Sequence, residues 1–251
     1  MNSSFLSNRS KEILLGSLLG DGSLRIHTGY KNARFSFRHS IKQKDYFFWK
    51  ANELKEISGN SYFWKQKPDG FGFGGEKLRY QSLALSQLTN LYHLTHERDK
   101  LIARPEWLKL LTPLSLAVWW LDDGSLTVNS RRGVICTDSF PYEFQQTLAD
   151  YLDETWGIKV KIGKITRIWK GKTREYFRLW IRSGEELKKL LRLVLPHIQV
   201  ESMLPKVLLL YRNPELQQRW ISEVSMSTGF SEKVVRKYVN EKKSRWKYFR
   251  K

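Results

Sequence analysis

The chain has 251 residues, 41% of them hydrophobic, and carries 44 Lys+Arg against 25 Asp+Glu for a net charge of +19. That allows one large domain or two small ones with real cores, and the excess charge, together with 10 Trp, 11 Tyr and 13 Phe, points to a nucleic acid as partner. A single cysteine, Cys136, excludes a disulfide framework and a cysteine zinc site, and no apolar run reaches the ~18 residues of a membrane span or the core of a signal peptide.

In chain order, the first expected element is a helix over 9–20, with Ser10 as N-cap, an apolar stripe in Lys11–Leu19 and Gly22 as its stop. Strands follow over 23–40. There Phe35 and Phe37 alternate with Arg34, Ser36 and Arg38, so one face is buried and the other is cationic. Asp45–Ile57 reads as a helix with Tyr46, Trp49 and Leu54 inward; 61–85 as strands broken by glycines; Leu85–His93 as a helix. The order then repeats. Pro113–Leu121 is helical, 125–137 are strands, Pro141–Thr155 is a helix, 158–183 a long hairpin in which Phe177, Leu179 and Ile181 alternate with Tyr176, Arg178, Trp180 and Arg182, and Glu185–Leu195 a helix. The fold class expected is α+β, with two pseudo-symmetric αββαββα halves over 1–105 and 106–212. A helical extension over 213–251 carries 10 Lys+Arg and 4 Asp+Glu. Its LQQRWISEVSMSTGFSEKVVRKYVNE stretch fits a helix-turn-helix, in which Ser231 caps a helix presenting Lys233, Arg236 and Lys237 to DNA; a solvated helical pair packed on the body is the alternative.

Two short phrases match across the repeat. Residues 14–22 read LLGSLLGDG and residues 116–124 read LAVWWLDDG, each an apolar helical run ending in Asp-Gly. Asp21 and Asp123 lie 102 residues apart. A carboxylate at a helix C-terminus faces the negative end of the helix dipole, at a cost of roughly 0.3–1 kcal/mol. Such a placement made twice asks for a cation, and hard divalent ions take carboxylate and phosphate oxygens. Gly16 and Gly20 let a second helix backbone approach closely, so packing the two motif helices side by side would bring Asp21 and Asp123 to one end of their seam.

These phrases, with LTPLSLAVWWLDDGSL at 111–126, TDSFPYEF at 137–144 and HIQVESMLPKV at 197–207, resemble the LAGLIDADG homing endonucleases in their two-motif monomeric form. The resemblance covers about residues 9–212. It implies a monomeric, site-specific double-strand DNA endonuclease that uses Mg2+ (or Mn2+). Its β-ribbons would lie in the major groove and its paired helix ends over the minor groove of a long asymmetric target, cut to leave short 3′ overhangs. Asp21 and Asp123 fall on the metal-binding acidic positions; Asp122 is one step off. Lys100 and Lys206, 79 and 83 residues beyond the aspartates, fall on active-site lysine positions. His39 and Asp138 stand at turn positions that often hold glutamine and can orient water or complete a metal shell; a phosphate contact for His39, which ends a basic strand, and a helix-entry cap for Asp138, which precedes Ser-Phe, are the alternatives. Val118 replaces a usual glycine, so the helix seam is expected to be asymmetric.

Strand alternation gives outward candidates for DNA contact: Arg25, His27, Arg34, Ser36 and Arg38 in the first half, and Thr127, Asn129, Arg131, Lys161, Tyr176, Arg178 and Arg182 in the second. Gly70-x-Gly72-x-x-Gly75 precedes strand-like rather than helical sequence and reads as a hairpin loop, not a dinucleotide site. His93 and His96 share a helix face without the metalloprotease order. Intein splicing is not expected, because the chain starts on its own Met without Cys junctions. Two other functions fit the basic surface: a maturase binding host intron RNA, and a non-catalytic DNA-binding regulator reading through the tail. The setting expected is intracellular, a bacterial cytoplasm or an organelle matrix.

Overall fold

A computed structural model describes residues 6–67, 75–127, 130–169 and 171–246. The chain divides into two compact units, Met1–Asp122 and Asp123–Lys251.

The first unit opens with α1 (Asn8–Leu19). Its N-cap is Ser7, whose Oγ accepts the Ser10 N–H at 3.2 Å, so Ser10 is not the cap but a buried first-turn residue. The helix ends at Leu19 with Gly20 as C-cap, so Gly22 is not its stop and instead opens β1 (Gly22–Arg25). There follow β2 (Arg34–Ser40), α2 (Lys44–Glu53), β3 (Phe63–Gln66) and β4 (Lys77–Gln81), forming an antiparallel sheet of order β1-β2-β4-β3. Leu24, Phe35, Phe37, Leu78 and Tyr80 face the core. Registers pair Phe37 with Tyr80 and Arg38 with Arg79, which fixes the opposite face as polar. α3 (Ser86–Thr95) closes the first repeat. A two-residue hairpin, β5 (His96–Glu97) and β6 (Lys100–Leu101), and the short α4 (Pro105–Leu108) follow; the sequence pattern did not suggest them. Residues 68–74, which hold Gly70 and Gly72 of the glycine pattern, lie outside the described residues.

α5 (Pro113–Asp123) begins the second sequence repeat and packs on α1. Ser115 Oγ donates to the Glu12 carbonyl at 2.8 Å, and a Cβ on Gly16 would stand 2.3 Å from the Ser115 carbonyl oxygen. Backbone meets backbone there, so no side chain can swing away. Gly16→Ala should therefore cost about 1–3 kcal/mol by overpacking, read as a lowered thermal midpoint; an unchanged midpoint would mean that the seam can open without cost.

The second unit repeats the order with β7 (Gly124–Thr127), β8 (Arg132–Ile135), α6 (Tyr142–Trp156), β9 (Lys161–Trp169), β10 (Lys172–Ile181) and α7 (Gly184–Val194), its sheet ordered β7-β8-β10-β9. Ile135, Leu179 and Ile181 are buried. Gly157 ends α6 at φ 62°, a left-handed conformation natural to glycine. Each half thus carries the αββαββα order, and the fold is α+β.

The extension forms α8 (Pro214–Thr228) and α9 (Glu232–Ser244), joined through Gly229 at φ 78° and capped by Ser231, whose Oγ accepts the Val234 N–H. Trp220, Ile221, Val224, Val235 and Val239 are buried, and the pair belongs to the second compact unit. Lys242 of α9 donates to the Pro205 and Leu208 carbonyls at 2.6 and 3.0 Å, on either side of Lys206; burial draws its ammonium down to about 7. No helix among the described residues is long and apolar enough to cross a membrane.

Candidate active site

Pleating sorts the first sheet into two faces. Beside the buried phenylalanines, Ser23 and Arg25 of β1, Arg34, Ser36 and Arg38 of β2 and Arg79 of β4 point the other way and line one groove with His27 and Asp21. The five residues singled out from the first half therefore share one surface, and Asp21 lies at it. Arg79 was missed, as were its neighbours. The guanidinium of Arg79 sits 5.4 Å from the ring centre of Trp64, which is 40% exposed and offers a flat apolar surface next to the cations. The signal was present, because Leu78 and Tyr80 alternate with Lys77, Arg79 and Gln81, but the strand lay hidden behind the glycine cluster.

Asp21 lies just beyond the last turn of α1, so helical hydrogen bonding does not fix it. Its backbone N–H instead donates to Asp122 Oδ2 at 3.2 Å. The Asp122 side chain is fully buried and accepts further bonds from Lys50 Nζ, at 2.6 and 2.8 Å to its two oxygens, and from the Tyr46 hydroxyl at 2.9 Å. Lys50 is itself fully buried in α2, with its ammonium 5.0 and 4.9 Å from the ring centres of Phe37 and Tyr46. Only glycine at position 20 admits this approach: a Cβ there would lie 2.5 Å from Asp122 Cβ. His39 is buried on β2 rather than in a turn, with Nδ1 3.3 Å from Asp21 Oδ2 and Nε2 3.9 Å from Asp122 Oδ1.

Among the described residues, Asp21, His39 and Asp122 form a group whose ligand atoms lie within 4.8 Å of one another. Carboxylate oxygens and an imidazole suit a divalent ion. The ammonium of Lys50 already spans both oxygens of Asp122, whereas Asp21, with a 40% exposed side chain, faces the arginine-lined groove. Asp21 is thus the carboxylate of the group best placed for an ion that also meets phosphate. Neither Lys50 nor Asp122 stood out as a site residue in the sequence. A lysine within a helix reads as surface, and Asp122 looks like the lesser member of an Asp-Asp pair.

In the second unit Asp123 ends α5, and its carbonyl accepts the Cys136 N–H at 3.0 Å. Cys136 is half-buried, and its thiol is pushed up by burial, with Arg178, Asp123, Asp138 and Lys206 acting on it. Asp123, Asp138 and Lys206 are therefore near enough to this thiol for their charges to act on it. Asp138 receives a two-pronged bond from Arg178, 2.5 Å from Nε to Oδ1 and 2.7 Å from Nη2 to Oδ2, which holds its carboxyl below the usual range. It anchors an arginine on the open sheet face. Register puts Thr127, Lys161, Tyr176 and Arg178 on that face, and Arg131 and Arg182 are exposed at its ends. Asn129 lies outside the described residues. Lys100 stands exposed on β6, while Lys233, Arg236 and Lys237 are exposed on α9.

A profile described as the LAGLIDADG DNA endonuclease family matches residues 11–188. The chain belongs to that family. Among solved structures it is similar to the homing endonuclease I-WcaI bound to its DNA recognition sequence, at TM-score 0.67 and 22% identity, covering 83% of this chain and 90% of that one. Among curated proteins, DNA endonuclease I-ChuI of Chlamydomonas applanata is 27% identical over 54% of this chain and 67% of its own length. A RecA protein of Mycolicibacterium chitae is 32% identical over 62% of this chain, and this chain spans 38% of its length. The figures for the RecA protein of Mycolicibacterium fallax are 32%, 77% and 45%. Because the chain spans about two fifths of the RecA proteins it matches, what those whole proteins do does not transfer to it. Family membership and the basic sheet faces support a DNA endonuclease or DNA-binding role.

Proposed function

We propose that this protein is a site-specific, divalent-metal-dependent DNA endonuclease that cuts both strands of a long asymmetric duplex and acts as a monomer. The observation that carries the reading is the position of Asp21 at one edge of a groove lined by Arg25, Arg34, Arg38 and Arg79: a carboxylate beside cations spaced along a sheet. Arginines on such a surface bind phosphates and, in the major groove, guanine edges. Asp21 and Asp123, one from each half of the repeat, are the metal-holding carboxylates. Divalent ions held by these carboxylates would supply charge stabilisation at the scissile phosphate and lower the pKa of bound water. His39 fixes the orientation of the Asp21 carboxylate from the core side. Lys206, and Lys100 in the first half, stabilise negative charge developing on phosphate. Arg178, braced by Asp138, holds the backbone on the second sheet. Lys233, Arg236 and Lys237 add contacts from the extension. The differing halves match an asymmetric site, and short 3′ overhangs follow from cutting across the minor groove as the family likeness implies.

The test is cleavage, with Mg2+, Mn2+ or Ca2+, of a randomised duplex library and of the uninterrupted DNA flanking the insertion point of the gene. A defined subset of duplexes should be cut with Mg2+ or Mn2+ and bound with Ca2+, with affinity falling steeply as salt rises. Binding without any cutting would favour a regulator, and tight binding to the flanking intron RNA alone would favour a maturase; either result overturns the nuclease reading.

A further inference from the structure

We infer that Lys50 and Asp122 form a buried positioning device for Asp21, acting through the hydrogen bond from the Asp21 backbone N–H to Asp122 Oδ2; this rests on Asp21 serving the reaction proposed above. The two repeated aspartates are held differently. Asp123 is the terminal residue of α5 and takes its place from that helix. Asp21 comes two residues after α1 has ended, where the chain turns into β1, and the helix no longer sets its backbone. Asp122 Oδ2 meets that backbone by accepting the Asp21 N–H.

An acceptor can position its donor only if it is itself fixed. Asp122 is fixed by four further contacts: both oxygens meet Lys50 Nζ, Oδ1 also accepts from Tyr46, and its Cβ lies against Gly20. Lys50 and Asp122 each have fully buried side chains, so neither is a solvated surface charge that formed a pair in passing. Burying two charges to gain stability alone is a poor exchange, because apolar residues of the same volume do as well. The pair makes sense as a rigid, correctly charged acceptor facing the turn. The repeat supports the same conclusion. Gly20 and Asp122 occupy matching positions in the two nonamers, and the space that one half leaves empty is filled by the carboxylate of the other. Lys50 also satisfies Asp122 in place of an external cation, which leaves metal binding in this unit to Asp21.

The experiment compares two double variants of the full chain in which the buried charges are gone. In Lys50→Met/Asp122→Asn the amide oxygen can still accept the Asp21 N–H. In Lys50→Met/Asp122→Leu it cannot. Both are checked for a cooperative thermal transition, for affinity towards a cleaved library duplex in Ca2+, and for single-turnover cleavage of that duplex in Mg2+. Amide hydrogen exchange at Asp21 is measured without DNA. The leucine variant should bind within about twofold of the asparagine variant but cut roughly tenfold or more slowly, within the ~10² that a misplacement of about 1 Å costs. Its Asp21 amide should exchange faster. Cleavage rates that match between the two variants, whether fast or slow, would overturn the positioning role. If the unaltered chain cuts no duplex, the nuclease reading fails by itself, and Asp21 exchange still decides whether Asp122 holds that turn.

Discussion

Asp21→Asn and Asp123→Asn will each lower cleavage by roughly 10²–10³ while the DNA stays bound, the scale expected when one group stabilising transition-state charge is removed. The substitution keeps the size of the side chain and one oxygen, and removes the negative charge that a divalent ion needs. Asp21 borders a surface of arginines, so removing its charge also removes a repulsion towards phosphate, and affinity in Ca2+ should hold or rise. Neither change should lower the thermal midpoint much. Asp21 has a 40% exposed side chain, and Asp123 occupies a helix end where a negative charge is unfavourable in any case. The measurement is single-turnover cleavage beside binding isotherms on one selected duplex. Full cutting by the double variant Asp21→Asn/Asp123→Asn would remove both aspartates from the mechanism and with them the divalent-metal reading.

Much of this was legible because both periodicities are strong. The Phe35–Phe37 alternation predicted the buried and cationic faces of β2, and the structure has both; in β10 the same alternation placed Leu179 and Ile181 in the core, while Phe177 is only half-buried. Hydrophobic period is enough where a strand has one face on a core. The close approach of α5 to Gly16 and Gly20 was equally readable, because glycine at helical spacing has few other uses. What escaped reading were features decided by partners distant in sequence. Lys50 is charged and lies in a helix, and nothing within α2 says that its ammonium is buried against a carboxylate 72 residues later. His39 looked like a turn residue, yet β2 runs through to Ser40 and carries the imidazole into the core. Asp138 resembled a helix-entry residue, but its carboxylate is committed to Arg178, 40 residues on. The helix stop shifted too: Gly22 was read as the stop of α1, but the C-cap is Gly20, where a Cβ would collide with Asp122 of the other repeat.

Lys50→Met alone should be among the most damaging single substitutions in the chain. It leaves the Asp122 carboxylate buried with the Tyr46 hydroxyl and the Asp21 N–H as its donors but without the ammonium that spans both oxygens. Breaking a buried pair from one side costs about 3–5 kcal/mol, because the stranded charge must stay desolvated, take up a proton or unfold its surroundings. That is a large part of the total stability of an ordinary domain, about 5–15 kcal/mol. Chemical denaturation should show the loss as a lower midpoint. Adding Asp122→Leu to Lys50→Met should restore most of it, since the two buried charges then leave together and two apolar chains occupy the space beneath Phe37 and Tyr46. The sign of that coupling is the decisive quantity. If the double variant is no more stable than Lys50→Met, the loss comes from the missing lysine stem and its packing, and the ammonium does not hold Asp122 in place.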